Sequence, residues 1–411
     1  MAELDVHTTP LPPGMRRTDA RYRRAVVAML TAGLATFNAV YATQALLPAL
    51  VDEFHVSPDR AALTVSVTTG LLAISIVPAS ILSERFGRGR VLIVSALCAT
   101  LLSLALPWAP SLEVLIGLRT LQGVAVAGVP AVAMAWLSEE LDPSDVGAAM
   151  GIYVAGTTVG GLSGRLIPSG LMEFLDWRWA MFGSSCIAVA CALLTVLFLP
   201  TQRRFRPKSI NPRHEFWATA SHVRNPRLLV LFLSAFLGMG AFVSLYNFVS
   251  FRMMHEFGLS EGLIGLVFLM YLTGTWSSAR VSRVVERFSR GRVMAGSAVL
   301  MLLSLLLLFP THLATTLLAM ALFTAAFFAI HSIASGWVGV LATSHRAEGS
   351  SMYLFCYYAG SSIVGWLSGC VFAAVEWRGL VLWLLLLAAL LCGAAALALR
   401  AEQRDARRAL A

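Results

Sequence analysis

The sequence predicts an all-α integral membrane protein: twelve transmembrane helices in two pseudo-symmetric six-helix bundles. Three observations predict it. The octet Glu84-Arg85-Phe86-Gly87-Arg88-Gly89-Arg90-Val91 returns almost unchanged as Glu286-Arg287-Phe288-Ser289-Arg290-Gly291-Arg292-Val293, each copy between two long apolar segments. Hydrophobic residues make up 58% of the chain and charged ones 13%, whereas a soluble domain carries about 25% charged residues. Twelve apolar runs approach or exceed the roughly 20 residues that cross the hydrocarbon of a bilayer.

The repeat extends beyond the octet. Glu53-Phe54-His55-Val56-Ser57 pairs with Glu256-Phe257-Gly258-Leu259-Ser260, Ala155-Gly156-Thr157-Thr158 with Ala359-Gly360-Ser361-Ser362, and Asp176-Trp177-Arg178 with Glu376-Trp377-Arg378. The pairs keep one order and one offset of about 200 residues, as expected when a membrane unit occurs twice in parallel.

In chain order the spans read near residues 25–48, 61–82, 91–108, 112–136, 147–170, 179–199, 228–251, 261–282, 293–310, 313–339, 350–373 and 379–400. This divides the chain into an N-terminal tail 1–24, a first bundle 25–200, a basic linker 201–227, a second bundle 228–400 and a tail 401–411. The leader holds Glu3, Asp5, Asp19 and paired prolines but no apolar core. An uncleaved first span is therefore expected rather than a signal peptide. All six cysteines fall in apolar runs, which suggests neither a disulfide framework nor a metal site.

Arginine and lysine in the short loops set the orientation. One side carries Arg16, Arg17, Arg21, Arg23 and Arg24, the arginines of both octets, the linker cluster from Arg203 to Arg227, Arg346 and the C-terminal arginines. The other side carries Arg60, Arg178, Arg252 and Arg378. Both termini and the linker are expected in the cytoplasm of a multi-pass protein of the cell inner (plasma) membrane. The net charge of +9 then reflects topology, and no nucleic-acid partner is expected. Within the linker, Phe216 and Trp217 between Arg213 and Arg224 suit either a short interfacial helix or a plain tether.

The six-plus-six spans, the octet after spans 2 and 8, and Arg119-Thr120-Leu121-Gln122-Gly123 in span 4 resemble the major facilitator superfamily over nearly the whole chain, from Arg24 to Arg400. Within it the chain is most similar to the twelve-span efflux branch, marked by the Arg-x-x-Gln-Gly run and a glycine-rich span 5, here Gly156-Thr157-Thr158-Val159-Gly160-Gly161-Leu162-Ser163-Gly164. The resemblance implies a secondary transporter working by alternating access, with spans 1, 4, 7 and 10 lining the cavity. Two departures stand out. The family box opens on Gly and carries Asp where this chain has Ser80 and Glu84, and the efflux motif has Pro where this chain has Thr157.

The box suggests a gate. A carboxylate at Glu84 is placed to meet the N-terminal dipole of span 11 near Ser350 and Ser351, closing the cytoplasmic side together with Ser80, Arg85, Gly87 and Arg88, and with Glu286 and Arg287 in the second copy. Ordinary positive-inside charge is the alternative for these arginines. Gly156, Gly160, Gly161 and Gly164 are small enough to let span 5 pack closely, by expectation against the other half.

Of the 22 acidic residues none falls in a span interior; Glu84, Glu113 and Glu261 stand at span ends. The interior ionisable groups are Arg119, Arg165 and His331, and such groups are functional candidates because burying them in a membrane is costly. Arg119, roughly 10 Å below the outer end of span 4 by helical rise, and Arg165 are expected to share a positive, outward-half cavity. The alternatives are snorkelling for Arg165 and interhelical hydrogen bonds for Arg119. His331 is the one titratable group left for coupling to protons, or else a neutral hydrogen-bonded core histidine. Asn38, Tyr41 and Gln44 recur at helical spacing and are expected on one face of span 1. Gln122, Tyr246, Asn247, Tyr357 and Tyr358 complete the polar candidates.

No phosphate-binding Gly-Lys-Ser/Thr loop, zinc-type His-Glu-x-x-His pair or Gly-x-Ser-x-Gly elbow occurs, so an ATP-driven pump or an enzyme is not expected. Neither a cofactor nor a metal is expected. The expected function is secondary transport of a small organic solute, anionic or amphipathic, by a monomer in the lipid bilayer, with protons as the coupling ion and export as the direction. The rivals are a neutral solute such as a sugar, and a membrane sensor that kept the fold.

Overall fold

A computed structural model describes residues 12–206, 221–342 and 346–410. Most of the linker, including Arg213, Phe216 and Trp217, lies outside the described residues, so the expected interfacial helix does too. The linker ends in a short 3-10 turn at His222–Arg224.

The described residues form twelve membrane-length helical spans and no strand longer than a single bridge, Met15 to Leu141. Span 1 is Ala20–Tyr41 followed by the short helix Leu47–Phe54. Spans 2 and 3 are Pro58–Phe86 and Arg88–Trp108, and span 4 is Leu112–Glu140, interrupted at Ala127. Spans 5 and 6 are Pro143–Leu171 and Trp177–Phe198. In the second half, span 7 is Pro226–His255, span 8 Glu261–Phe288, span 9 Arg290–Leu306 and span 10 Leu313–Leu341. The last helix, Arg346–Leu410, is two spans joined where Val375 and Glu376 leave helical geometry. Asp142, Asp176 and Asn225 cap spans 5, 6 and 7 by accepting from backbone N–H groups of the first turn, which satisfies donors that a helix start leaves open. Large apolar side chains such as Ile74, Leu101, Leu197, Trp276 and Leu382 stay exposed, a coat suited to lipid.

The repeat holds at the level of backbone geometry. Gly87 and Ser289, which join spans 2 to 3 and 8 to 9, both have positive φ (96° and 78°), as do His55 and Gly258 (50° and 61°). Gln202 accepts from Gly89 N (2.8 Å), and Glu402 accepts from Gly291 N (2.9 Å). In each half, then, the stretch after the sixth span caps the start of the third.

Glycines bring helices together within each half. A Cβ at Gly156, Gly160 or Gly164 would lie 2.5, 2.6 and 2.5 Å from the carbonyl oxygens of Leu30, Leu34 and Asn38. The face of span 5 that carries Gly156, Gly160 and Gly164 thus packs on span 1 of its own half, not on the other half as its composition suggested. Between halves, span 2 meets span 11 through Gly70 on Ser362 and Gly369 on Asp59. Span 5 meets span 8 where Glu173 accepts from Gly262 N (3.0 Å) and Ser169 donates to the Glu261 carbonyl. These last contacts close the face opposite the termini. On the terminal face the ion pairs Arg16–Asp142, Arg17–Asp145, Arg88–Glu139 and Arg227–Asp405 each stay inside one half.

Candidate functional site

Span 1 breaks at residues 42–46, and the break organises the polar interior. A helix that stops leaves its last carbonyls without intrahelical partners. Arg119, fully buried, takes two of them: Nη1 donates to Ala39 O (2.7 Å) and Nη2 to Val40 O. Its Nε donates to Thr64 O (2.7 Å) in span 2, and Nη1 also donates to Gln122 Oε1. Gln122 passes the network on to Ala99 O (2.9 Å) and Ser103 Oγ (2.6 Å) in span 3. Four of the five guanidinium N–H groups are therefore satisfied by neutral acceptors. Arg119 clamps spans 1, 2 and 4 together.

Arg165 is as buried but differently bonded. Nε donates to Gln44 Oε1 (2.6 Å) and Nη1 to Gly161 O, whereas Nη2 has no acceptor among the described residues. The guanidinium carbon lies 3.9 Å from the ring centre of Tyr41, 4.4 Å from Tyr271 and 5.6 Å from Phe268. The aromatic faces that hold this cation come from both halves. Gln44 Nε2 in turn donates to Asn247 Oδ1 (2.6 Å) in span 7. The two arginines do not open on one cavity as expected, because Arg119 is enclosed within the first half while Arg165 faces the seam between halves.

The expected single face of Asn38, Tyr41 and Gln44 is not formed, because Gln44 sits in the turn after the helix has ended. Asn38 instead donates to Ser163 Oγ (3.2 Å) and accepts from Ser184 Oγ (3.2 Å), tying span 1 to spans 5 and 6. Tyr41 and Gln44 converge on Arg165. Among the described residues, Thr36 Oγ1, Thr43 Oγ1, Ser66 Oγ, Asn247 Nδ2, Ser250 Oγ, Tyr271 OH and Ser361 Oγ are buried without a hydrogen-bond partner. Native interiors leave few such atoms, and these sit on the spans that meet across the seam. A cleft of about 10 Å³, room for one water, lies among Ala45, Ser169, Ser250 and Glu261.

The second half faces the seam with rings. Phe242 stacks on Phe327 (4.2 Å between ring centres) and contacts Tyr246 (4.9 Å) and Tyr271 (5.2 Å). Tyr246 OH is 2.7 Å from Thr324 Oγ1 in span 10. His331 Nδ1 lies 3.0 Å from Tyr353 OH, and the imidazole packs 4.7 Å from the ring of Tyr357. Tyr358, beside Tyr357 (5.1 Å), packs with Val40, Leu72 and Ala73 of the first half.

At the octet, Arg88 is buried and donates from Nε to Glu139 Oε1 (2.6 Å) and from Nη1 to Ser83 Oγ (3.1 Å). Glu84 stands 3.6 Å from Arg88, and the Ser80 carbonyl accepts from Ser83 Oγ (2.6 Å). Arg88 is therefore held by two carboxylates rather than serving only as a topology charge. Arg85 and Arg287 lie over the rings of Phe86 and Phe288 at 5.5 and 5.3 Å, and Glu286 is exposed.

Two arginines on the face opposite the termini, read from the sequence only as topology charges, have a structural task. Arg178 donates from Nη1 to Pro107 O (2.7 Å) and Ala109 O (3.1 Å), and pairs with Glu53 (3.0 Å). Arg252 donates to Leu308 O (2.6 Å) and Pro310 O (2.9 Å), and pairs with Glu256 (2.7 Å). Sequence reasoning also missed Glu140, buried and accepting from the backbone N–H groups of Arg203 (3.0 Å) and Arg204 (2.8 Å). The repeated Trp-Arg and Glu-Phe pairs were the available signal for the arginines; nothing in the sequence marked Glu140.

The family model described as the Major Facilitator Superfamily matches residues 29–255 and 244–411. The inner membrane transport protein YnfM of Escherichia coli (strain K12) is 39% identical over 382 residues, covering 92% of each chain. A relative in Bacillus subtilis (strain 168), named as the MFS-type transporter YybF, is 36% identical over 368 residues, 89% of this chain and 91% of that protein. In fold, the chain is similar to a bacterial homolog of the human lysosomal transporter Spinster in an inward-facing, unoccupied conformation. The TM-score is 0.72 at 17% identity, with 94% of this chain and 93% of that one covered.

Proposed function

The chain belongs to the Major Facilitator Superfamily, a transporter and not an enzyme, and from that premise we propose that it carries a small organic anion, or an amphipathic compound with an acidic group, anchored on Arg165. The observation that supports this most is the state of the Arg165 guanidinium. Among the described residues it is buried at the seam between halves with no carboxylate paired to it and no acceptor for its Nη2, and rings of both halves flank it. A buried charge without a partner is costly, and an anionic substrate supplies the partner. The planar fork of arginine suits a carboxylate held through two hydrogen bonds, and Tyr41 and Tyr271 offer ring faces to an apolar body.

Arg119 is the weaker binding candidate, since neutral acceptors already take four of its five guanidinium N–H groups. A cation is disfavoured, because two arginines and no acid occupy the span interiors. Alternating access would expose the site first to one face and then to the other as the halves rock. Placement in the inner membrane rests on the likeness to YnfM, cytoplasmic termini rest on the arginine distribution, and export rests on the efflux-branch motifs. Protons are proposed as the driving ion, with His331 as the titratable group in the second half.

The test is a transport screen in proteoliposomes with an imposed pH gradient, using aromatic and aliphatic carboxylates, sugars and lipophilic cations. Arg165→Ala is expected to abolish carboxylate flux, and Arg165→Lys to restore a part of it. Undiminished carboxylate flux in Arg165→Ala, or flux of sugars alone in the unaltered protein, overturns the reading.

A further inference from the structure

Gln44 is where the charge of one half is wired to the other. A guanidinium only donates, so Gln44 must turn its oxygen to Arg165 Nε, at 2.6 Å. Its amide nitrogen is then fixed on the far side, where it donates to Asn247 Oδ1 at 2.6 Å. Asn247 must in turn present oxygen, which leaves its Nδ2 buried and without a partner. One positive charge thus dictates the orientation of two amides across the seam, and the orphaned Nδ2 is the mark of that constraint. The other hydrogen bonds that cross between halves here, Ser169 to the Glu261 carbonyl and Gly262 N to Glu173, lie at the outer end.

Of the two edges on which a carboxylate can form two parallel bonds to Arg165, the one formed by Nε and Nη2 does not involve Nη1, the atom that donates to the Gly161 carbonyl. Nη2 is free there and Nε is held by Gln44. A carboxylate that takes this edge displaces the Gln44 oxygen. The amide, no longer oriented by the charge, has no reason to keep its nitrogen on Asn247. We propose that Gln44 is the positioning residue that couples occupancy of Arg165 to release of the two halves: the empty site holds the seam shut through Arg165, Gln44 and Asn247, and a bidentate carboxylate opens it. This rests on the anion reading of Arg165 and adds to it the reason why binding moves the protein.

The test monitors closure of the outer face in the full-length chain, with its native cysteines replaced by serine and with Phe174→Cys and Leu263→Cys introduced. Phe174 and Leu263 are exposed and lie beside the Glu173–Gly262 contact, so the rate of disulfide formation between them reports the closed state. Gln44→Ala without any ligand is expected to slow cross-linking several-fold, as loss of the neutral hydrogen bond that crosses the seam from Gln44 Nε2 to Asn247 Oδ1 implies. Gln44→Glu keeps an acceptor on Arg165 Nε and offers its second oxygen to Asn247, which can turn its amide and donate the Nδ2 that now lacks a partner, so the bridge stays built into the chain and cross-linking is expected to keep the unaltered rate. Effects in these two directions are not produced by a loss of packing at residue 44. Benzoate is the ligand probe; it is expected to slow cross-linking in the unaltered protein and to have no effect in Gln44→Glu.

An unaltered ligand-free rate in Gln44→Ala overturns the coupling role whatever benzoate does. If benzoate quenches tryptophan fluorescence in an Arg165-dependent way yet leaves cross-linking unchanged, the coupling fails and the anion site stands. Slower cross-linking in ligand-free Gln44→Ala, together with quenching that survives Arg165→Ala, upholds the latch and removes the anion site instead.

Discussion

The two halves close the same seams from opposite sides. In the first half Arg178, at the start of span 6, caps the loop between spans 3 and 4. In the second half the equivalent loop is capped by Arg252 at the end of span 7, while Arg378, the sequence counterpart of Arg178, is exposed. Deeper in, Thr68 donates to the carbonyl of Arg119, and Thr273 donates to that of Ala321, so in each half a threonine ties the second span to the fourth. Where Arg119 reaches from span 4 to span 1, Tyr246 reaches from span 7 to Thr324 in span 10. The closest helix pair keeps its glycine at matched positions, a Cβ at Gly156 of span 5 lying 2.5 Å from Leu30 O and one at Gly360 of span 11 lying closer still to Phe236 O, and the second half adds Gly240 of span 7 against Val364. The repeat therefore preserves which gaps must be bridged, and leaves open which helix supplies the bridge. It also left the halves chemically unlike, one lining the seam with a cation and amides, the other with rings.

The sharpest way to break this comparison is to remove both interior bridges. Arg119→Ala strips hydrogen bonds from the carbonyls of Ala39, Val40 and Thr64 at once. With each buried acceptor costing about 1–3 kcal/mol when orphaned, the variant is expected to lose several kcal/mol and most of its folded yield. Tyr246→Phe removes one hydroxyl bond and is expected to cost about 1 kcal/mol. Thermal unfolding in detergent compares them; equal losses would mean that the two bridges carry the same weight and that the asymmetry is cosmetic.

The glycine seams sharpen it next. A Cβ at Gly160 meets the backbone oxygen of Leu34 at 2.6 Å, whereas one at Gly240 meets the side chain of Val364 at 2.6 Å. Gly240→Ala is thus expected to be rescued by Val364→Ala. Gly160→Ala admits no such rescue, because a carbonyl cannot be trimmed. Both are expected to cost about 1–3 kcal/mol alone, as overpacking does, with size-exclusion profiles and melting temperatures as the readout.

On the face opposite the termini, Arg252→Ala is expected to destabilise more than Arg178→Ala, since the side chain of Arg252 is 1% exposed and that of Arg178 33%. A loss of about 1–3 kcal/mol against about 1 kcal/mol or less is the expected order. Arg378→Ala should change nothing, and a loss there equal to that of Arg252 would undo the exchange of positions.

The smallest effect is expected at the octets. Glu84→Gln weakens the hold on Arg88 in the first half and should slow initial transport a few-fold with insertion unchanged. Glu286→Gln, at an exposed side chain, should leave the rate as it was.

The fold was legible in the sequence because a bilayer imposes apolar runs of set length and the duplication wrote its markers twice. The break in span 1 was not. Asn38, Tyr41 and Gln44 keep helical spacing through it, and Pro48, the nearest residue that punctuates a helix, comes only after the turn. Span 5 advertised close packing through Gly156, Gly160 and Gly164, but a glycine names no partner, so the neighbour was assigned to the wrong half. Arg165 was recognisable as a costly charge in a span. Its wiring through Gln44 to Asn247 was not, since polar residues some 120 and 200 positions apart carry no sign of contact without coordinates. Arg252 was masked by its place near a span end, where a basic residue already has an explanation.

The cap that Glu402 places on the start of span 9 fixes how the chain can be handled at the bench. A purification tag or fluorescent reporter is safely spliced after the helix that runs to Leu410. Trimming the tail to Leu399, where the long apolar run ends, removes the carboxylate that receives Ser289 Oγ and Gly291 N, and with it the support for a turn held at a backbone angle that serine seldom adopts. Shortened versions should keep Glu402, and fusions should begin beyond it.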